Sequence, residues 1–139
     1  MLAVNVLLQS SVPLAVCGGH SRPVRHVKFL PTASSSSSSS GQPMLLSGSD
    51  DWTARLWDAS SGKCEAVCVG HAGAVTAVQV AHSKEGSRLV TGAADGTVAV
   101  WGHQGELHSL VQQHWAPVHL LTQGMNTLVS GEAGVINTK

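Results

Sequence analysis

Charge is scarce in this chain. Asp, Glu, Lys and Arg make up 12% of the 139 residues, and eight of each sign leave a formal net charge of zero. That balance excludes a polycation made for nucleic acid, and 42% apolar residues argue against a disordered chain. Tyrosine is absent and phenylalanine occurs once, so there is no aromatic-basic strip of the kind that binds single strands. Cysteine is limited to Cys17, Cys64 and Cys68, an odd number without C-x-x-C spacing, which argues against a zinc site and for a reducing compartment. No uninterrupted apolar run approaches the ~18 residues of a membrane helix. The first nineteen residues carry no charge, yet they lack the basic segment of a secretory leader and are interrupted by Asn5, Gln9 and Pro13.

Glycine, in contrast, occurs fifteen times, and with abundant Val and Ala this is the composition of short strands joined by many turns. The stretches LLSGSDDWTARLWDASSGKCEAVCVGH (45–71) and LVTGAADGTVAVWGHQGELHSLVQQH (89–114) carry small-Gly-small, Asp, an alternating segment, Trp and His in one order. Ser47 to Asp51 and Thr91 to Asp95 are each four residues, and Asp51 to Trp57 and Asp95 to Trp101 each six. Trp57 and Trp101 are 44 apart, inside the ~40–45-residue period of four-stranded propeller blades. His20 to Ser47 is 27 residues whereas His71 to Thr91 is 20, and the surplus of seven equals the run Ser34–Ser40. The poly-serine therefore reads as a solvated insertion in a loop.

Period-two patterning predicts strands over 24–30, 53–58, 64–69, 75–80, 88–92 and 97–101. Residues 94–97 read as a hairpin turn with Gly96 at positive φ. The fold class is all-β. Through GGH at 18–20, SGSDDWTARLWD at 47–58, VGH at 69–71 and TGAADGTVAVWG at 91–102, the chain resembles the WD-repeat family of β-propellers. The resemblance implies blades of four antiparallel strands. It divides the chain into the end of a preceding repeat (1–19), a first full repeat (20–70), a second (71–113) and a degenerate third (114–139). That third copy keeps Ser130 and Gly131 but has no Asp or Trp after them. Fewer than four blades, against the ~4–8 of closed propellers, make an incomplete ring. The expectation is a fragment of a longer propeller, with homo-oligomerisation or a partner that completes the ring as the alternative.

His20, Ser47 and Asp51 are the residue types of a hydrolase triad. However, no G-x-S-x-G occurs, and the second copy keeps His71 and Asp95 while replacing the serine by Thr91. A catalytic site is not duplicated in every repeat. The resemblance implies a structural hydrogen-bond network instead: His20, Ser47, Asp51 and Trp57 in the first repeat, and His71, Thr91, Asp95 and Trp101 in the second. Buried indole and imidazole groups need such partners. His103/His108 and His114/His119 are each five apart, which suits one face of neither a helix nor a strand, so no metal site is expected. Period two puts Cys64 and Cys68 on one strand face as partly buried free thiols.

The resemblance further implies a non-enzymatic scaffold that binds other proteins, needs no cofactor, binds neither nucleic acid nor membrane, and works in the cytoplasm or nucleus. In the family's layout two sets of turns open on one face, which would place Arg22, Arg25, Trp52 and Trp115 in one zone as partner-binding candidates. Trp52 stands where the second copy has Gly96. Either the turn differs there, or the indole projects outward as a contact anchor. A substrate receptor of a ubiquitin-ligase assembly is the alternative function. Some such receptors end a repeat in Trp-Asp-x-Arg, whereas WDAS (57–60) and WGHQ (101–104) stand here.

Overall fold

A computed structural model describes residues 2–6, 15–30, 43–83, 86–112, 117–118, 120–123, 128–132 and 135–138, and every regular element among them is a strand. β1 (Leu2–Val6) and β2 (Ala15–His20) form a two-stranded sheet. A four-stranded sheet follows, with β3 (Val24–Leu30), β4 (Met44–Ser49), β5 (Thr53–Asp58) and β6 (Cys64–Val69) in chain order. The next repeats that order with β7 (Val75–Ser83), β8 (Gly86–Ala93), β9 (Thr97–Trp101) and β10 (Leu107–Gln112). β11 (Leu120–Gln123), β12 (Leu128–Glu132) and β13 (Val135–Thr138) make a three-stranded sheet. All pairings between neighbours are antiparallel, and the four sheets do not close a ring among the described residues.

Each four-stranded sheet is an antiparallel meander that cannot bury both faces alone, so neighbouring sheets stack. Leu30, Leu46, Ala54, Leu56, Ala66 and Cys68 of the β3–β6 sheet pack on Val75, Val78, Val80, Leu89, Ala99 and Trp101 of the β7–β10 sheet. On the far side of the first sheet, Trp57, Leu45 and Ala59 pack with Cys17 of β2. Val118 covers Ala77, Val90 and Val98 on the far side of the second. Thus each Trp fills the seam between its own sheet and the one before it.

The strands read from period two are present, with β7 and β8 a few residues longer than the pattern suggested. β4 and β10 had no period-two signal, for opposite reasons. From Leu45 on, β4 is buried on both faces, and Leu107–Leu110 of β10 are exposed on the outermost strand. The expected sharing of one face by Cys64 and Cys68 is corrected by a β-bulge. Leu56 pairs with Ala66 but Trp57 pairs with Cys64, so the register slips by one residue at Glu65. A one-residue slip turns a side chain to the other face. Cys64 accordingly packs beside Cys17 and Trp57, while Cys68 lies in the opposite seam.

Two glycines fix the distance between sheets. Gly62 (φ +77°) and Gly105 (φ +83°) sit in the turns before β6 and β10. A Cβ on Gly62 would stand 2.4 Å from the Val16 carbonyl oxygen of β2, and one on Gly105 would stand 2.6 Å from that of Val67 in β6. Each turn thereby lies directly on the outer strand of the preceding sheet.

Candidate functional site

His20 ends β2, Ser47 is on β4, Asp51 is in the β4–β5 turn and Trp57 is on β5. The Trp57 indole N–H donates to Ser47 Oγ at 2.8 Å, that hydroxyl lies 2.7 Å from His20 Nε2, and His20 Nδ1 lies 2.7 Å from Asp51 Oδ2. Because Ser47 Oγ accepts from the indole, its own proton is left for Nε2, and the remaining imidazole proton sits on Nδ1 and goes to the carboxylate. The result is one directional chain through a neutral imidazole. His20 and Trp57 also meet edge to face, with centroids 5.9 Å apart. Burial pushes His20 below the ordinary imidazole value, against the smaller opposing pull of Asp51. Burial alone would raise the Asp51 carboxyl. Hydrogen bonds from Thr53, His20 and the Ser21 amide outweigh it and lower it to about 2.

The second chain has one more link. Trp101 donates to Thr91 Oγ1 at 2.8 Å, and Thr91 Oγ1 is 2.5 Å from His71 Nε2. His71 Nδ1 then meets Thr97 Oγ1 at 2.6 Å, and that hydroxyl donates to Asp95 Oδ1 at 2.6 Å. Asp95 Oδ1 itself is 3.9 Å from the ring nitrogen. In the first chain the matching Thr53 Oγ1 also donates to its aspartate at 2.6 Å but stands 3.5 Å from the imidazole. Sequence reasoning passed over both threonines. The signal was available in D-W-T and D-G-T, where a threonine follows each aspartate by two.

Neither chain offers chemistry to a substrate. Ser47 and Thr91 are fully buried, and each histidine has both ring nitrogens engaged. Among the described residues no group of three His, Cys, Asp or Glu is placed to hold a metal ion. His103 lies in the β9–β10 turn, and the exposed His108 accepts from Arg88 at 2.8 Å. His114, His119 and the run Ser34–Ser40 lie outside the described residues.

A second constellation is at the surface. The Ser49 hydroxyl donates to the carbonyls of Arg22 (2.9 Å) and Pro23 (3.0 Å), and the Asp50 amide donates to the same Pro23 carbonyl at 2.9 Å. Arg25 adds a two-pronged pair, its Nε donating to Asp50 Oδ1 at 2.8 Å and its Nη2 to Oδ2. The segment 22–25 is therefore fixed against the turn that carries Trp52. Trp115 lies outside the described residues.

The Trp52 turn does not differ from its counterpart. The Trp52 amide donates to the Ser49 carbonyl at 3.2 Å and the Gly96 amide to that of Ala93 at 3.1 Å. Trp52 takes φ +73° where Gly96 takes +82°. It is the non-glycine residue with positive φ among those described, and it is 52% exposed.

The stacked four-stranded sheets, each tied to its predecessor by a buried His–Ser/Thr–Trp chain, define a propeller-blade repeat protein. The model of the "WD domain, G-beta repeat" family matches residues 11–58 and 62–102, and the chain belongs to that family. It is similar to the DENN domain and WD repeat-containing protein SCD1 of Arabidopsis thaliana, at 31% identity over 83% of this chain and 9% of that protein. The nuclear distribution protein PAC1-2 of Uncinocarpus reesii is 36% identical over 63% of this chain and 18% of its own length. Among solved structures, the crystal structure of the computationally designed Ika4 protein matches with a TM-score of 0.73 and 29% identity, over 94% of this chain and 73% of that one. The chain thus spans less than a fifth of these two curated relatives. Among the described residues no helix is long and apolar enough to cross a membrane.

Proposed function

We propose that the chain is a non-enzymatic interaction scaffold that presents the 22–25 and 49–52 segments to a protein partner, with Trp52 as the anchor. The observation that carries this reading is Trp52 itself. A left-handed conformation costs a non-glycine residue roughly 1–2 kcal/mol, and an indole left half in water recovers little of it by burial. The second repeat closes the same turn with glycine, so the fold does not need the tryptophan. Arg22 and Arg25 flank it. Arg25 is held in place by Asp50, and Arg22 lies near enough to help lower that carboxyl, though less than Arg25 does. Rigid aromatic and arginine groups are the residues most enriched at interface hot spots.

The buried histidine chains hold the blades and are not catalytic in this reading. Free thiols at Cys17, Cys64 and Cys68 favour a cytoplasmic or nuclear setting. Burial pushes the Cys68 thiol to about 12, which makes it inert. Site-specific photo-crosslinking tests the surface. A benzophenone side chain at position 22 or 23, with Trp52 intact, should trap the same discrete partner from cell extract, while one at position 110 on β10 should not. Trapping that is equal from all three positions would defeat the assignment.

A further inference from the structure

Two of the three thiols share one seam. The bulge at Glu65 sets Cys64 opposite Trp57, and residues directly opposite in an antiparallel pair point to the same side. Trp57 packs on Cys17 of β2, and Cys64 joins it there, against the cluster of Cys17, Leu45, Trp57 and Ala59. The backbones meet at the same place. A Cβ on Gly62, two residues before Cys64, would stand 2.4 Å from the carbonyl oxygen of Val16, the residue before Cys17. Cys17 is fully buried, whereas Cys64 is partly exposed and donates only a weak bond, 3.5 Å long, to the Ala66 carbonyl. Burial raises the Cys17 thiol, and Asp58 and Cys64 lie near enough to raise it further.

The next seam has the same two positions with one sulfur between them. Cys68 stands three residues before His71 as Cys17 stands three before His20. Leu107 pairs with Trp101 as Cys64 pairs with Trp57. Leu107 reaches the preceding sheet, since a Cβ on Gly70 of that sheet's outer edge would stand 3.7 Å from its Cδ2. The repeat thus brings these two positions to one seam, and the first seam fills both with sulfur. Cys68 itself is fully buried on the other face of β6, where burial holds its thiol at about 12 and keeps it from reacting.

We propose that hydrogen peroxide converts Cys17 and Cys64 of the folded chain into a reversible disulfide that ties β2 to β6 across the seam. Cys64, the thiol open to solvent, reacts first. Its thiolate attacks one peroxide oxygen, the O–O bond breaks, and the departing hydroxide takes up the Cys64 proton to leave as water, which makes the sulfenic acid. The Cys17 sulfur, buried and protonated until then, attacks that sulfur. The S–S bond forms as the S–O bond breaks, and the hydroxyl leaves with the Cys17 proton as a second water. Two thiols and one peroxide give one disulfide and two waters, the peroxide taking the two electrons that the sulfurs lose. A reducing compartment restores the thiols by exchange, so the bond is a response to oxidant and not a permanent staple. The pair shares no residue with Trp52, Arg22 and Arg25 and is independent of the reading above.

Mass spectrometry of the peroxide-treated chain tests this. The folded chain should lose two hydrogens and, once unfolded, take up N-ethylmaleimide on Cys68 alone. Trypsin with a glutamate-specific protease cuts at Lys63 and Glu65 and so separates Cys64 from Cys68. The linked fragments should be those of Cys17 and Cys64, and dithiothreitol should part them. Oxidation in urea is the reference. Loop closure there favours Cys64 with Cys68, its near neighbour in sequence, so folding should raise the ratio of Cys17–Cys64 to Cys64–Cys68 links about tenfold or more. Cys64→Ala should abolish the link and Cys68→Ala should keep it, and the map of the unaltered chain decides the matter if a variant does not fold. A Cys64–Cys68 link in the folded chain, a disulfide between two copies, sulfinic acid on Cys64 beside a free Cys17, or thiols that all stay reduced would overturn the proposal.

Discussion

Trp57 and Trp101 each pack a ring into the seam between two sheets and donate an N–H to the hydroxyl of their own sheet that meets the histidine. Truncating Trp57 to alanine removes a fully buried indole and strands the Ser47–His20 chain, which should cost ~3–5 kcal/mol in urea unfolding. The threonines give a finer test. Thr97→Val cuts the hydrogen-bonded link from His71 to its aspartate and leaves a buried imidazole N–H without that partner, worth about 1–3 kcal/mol. Thr53→Val should cost less, because His20 reaches Asp51 directly. Equal losses would mean that the two chains are not wired as described. Spacing marked the His, Ser/Thr, Asp and Trp positions as a repeat, and it was the resemblance to WD repeats that implied a hydrogen-bond network among them. The extra link through Thr97 was not legible, since a 2.6 Å against a 3.5 Å approach depends on side-chain placement that composition does not carry.

At the scale of elements, the turns at Gly62 and Gly105 set how closely sheets stack. Alanine at either position forces a Cβ against a backbone carbonyl of the preceding sheet at positive φ, and should cost about 2 kcal/mol. Strands whose two faces differ in burial could be read from sequence. β4, covered on both sides, and β10, exposed on the rim, could not, because period two requires one wet and one dry face. The bulge that separates Cys64 from Cys68 escaped for a related reason: a register slip depends on the partner strand.

For the whole molecule, acid should act in two steps. Burial holds His20 and His71 below the ordinary 6.5, so below that pH the unfolded chain takes up protons that the folded chain refuses. Their contribution is full above 6.5 and is lost as pH falls from there toward the lowered folded values. Asp51 acts lower, its contribution complete above 3.8 and lost between 3.8 and about 2. Urea midpoints should therefore fall already between pH 7.5 and 5.5 and again below 4. A flat profile down to pH 4.5 would show that the buried histidines are protonated in the folded state.

The central claim is that folding and partner binding reside in different residues, and Trp52→Gly tests it most directly because the two properties should move in opposite directions. Glycine relieves the left-handed strain, so the variant should unfold at higher urea, by about 1 kcal/mol of added stability. Crosslinking to the partner from position 22 should be lost in the same protein. If crosslinking persists, or if the unfolding midpoint drops, Trp52 is a structural residue and the surface assignment fails.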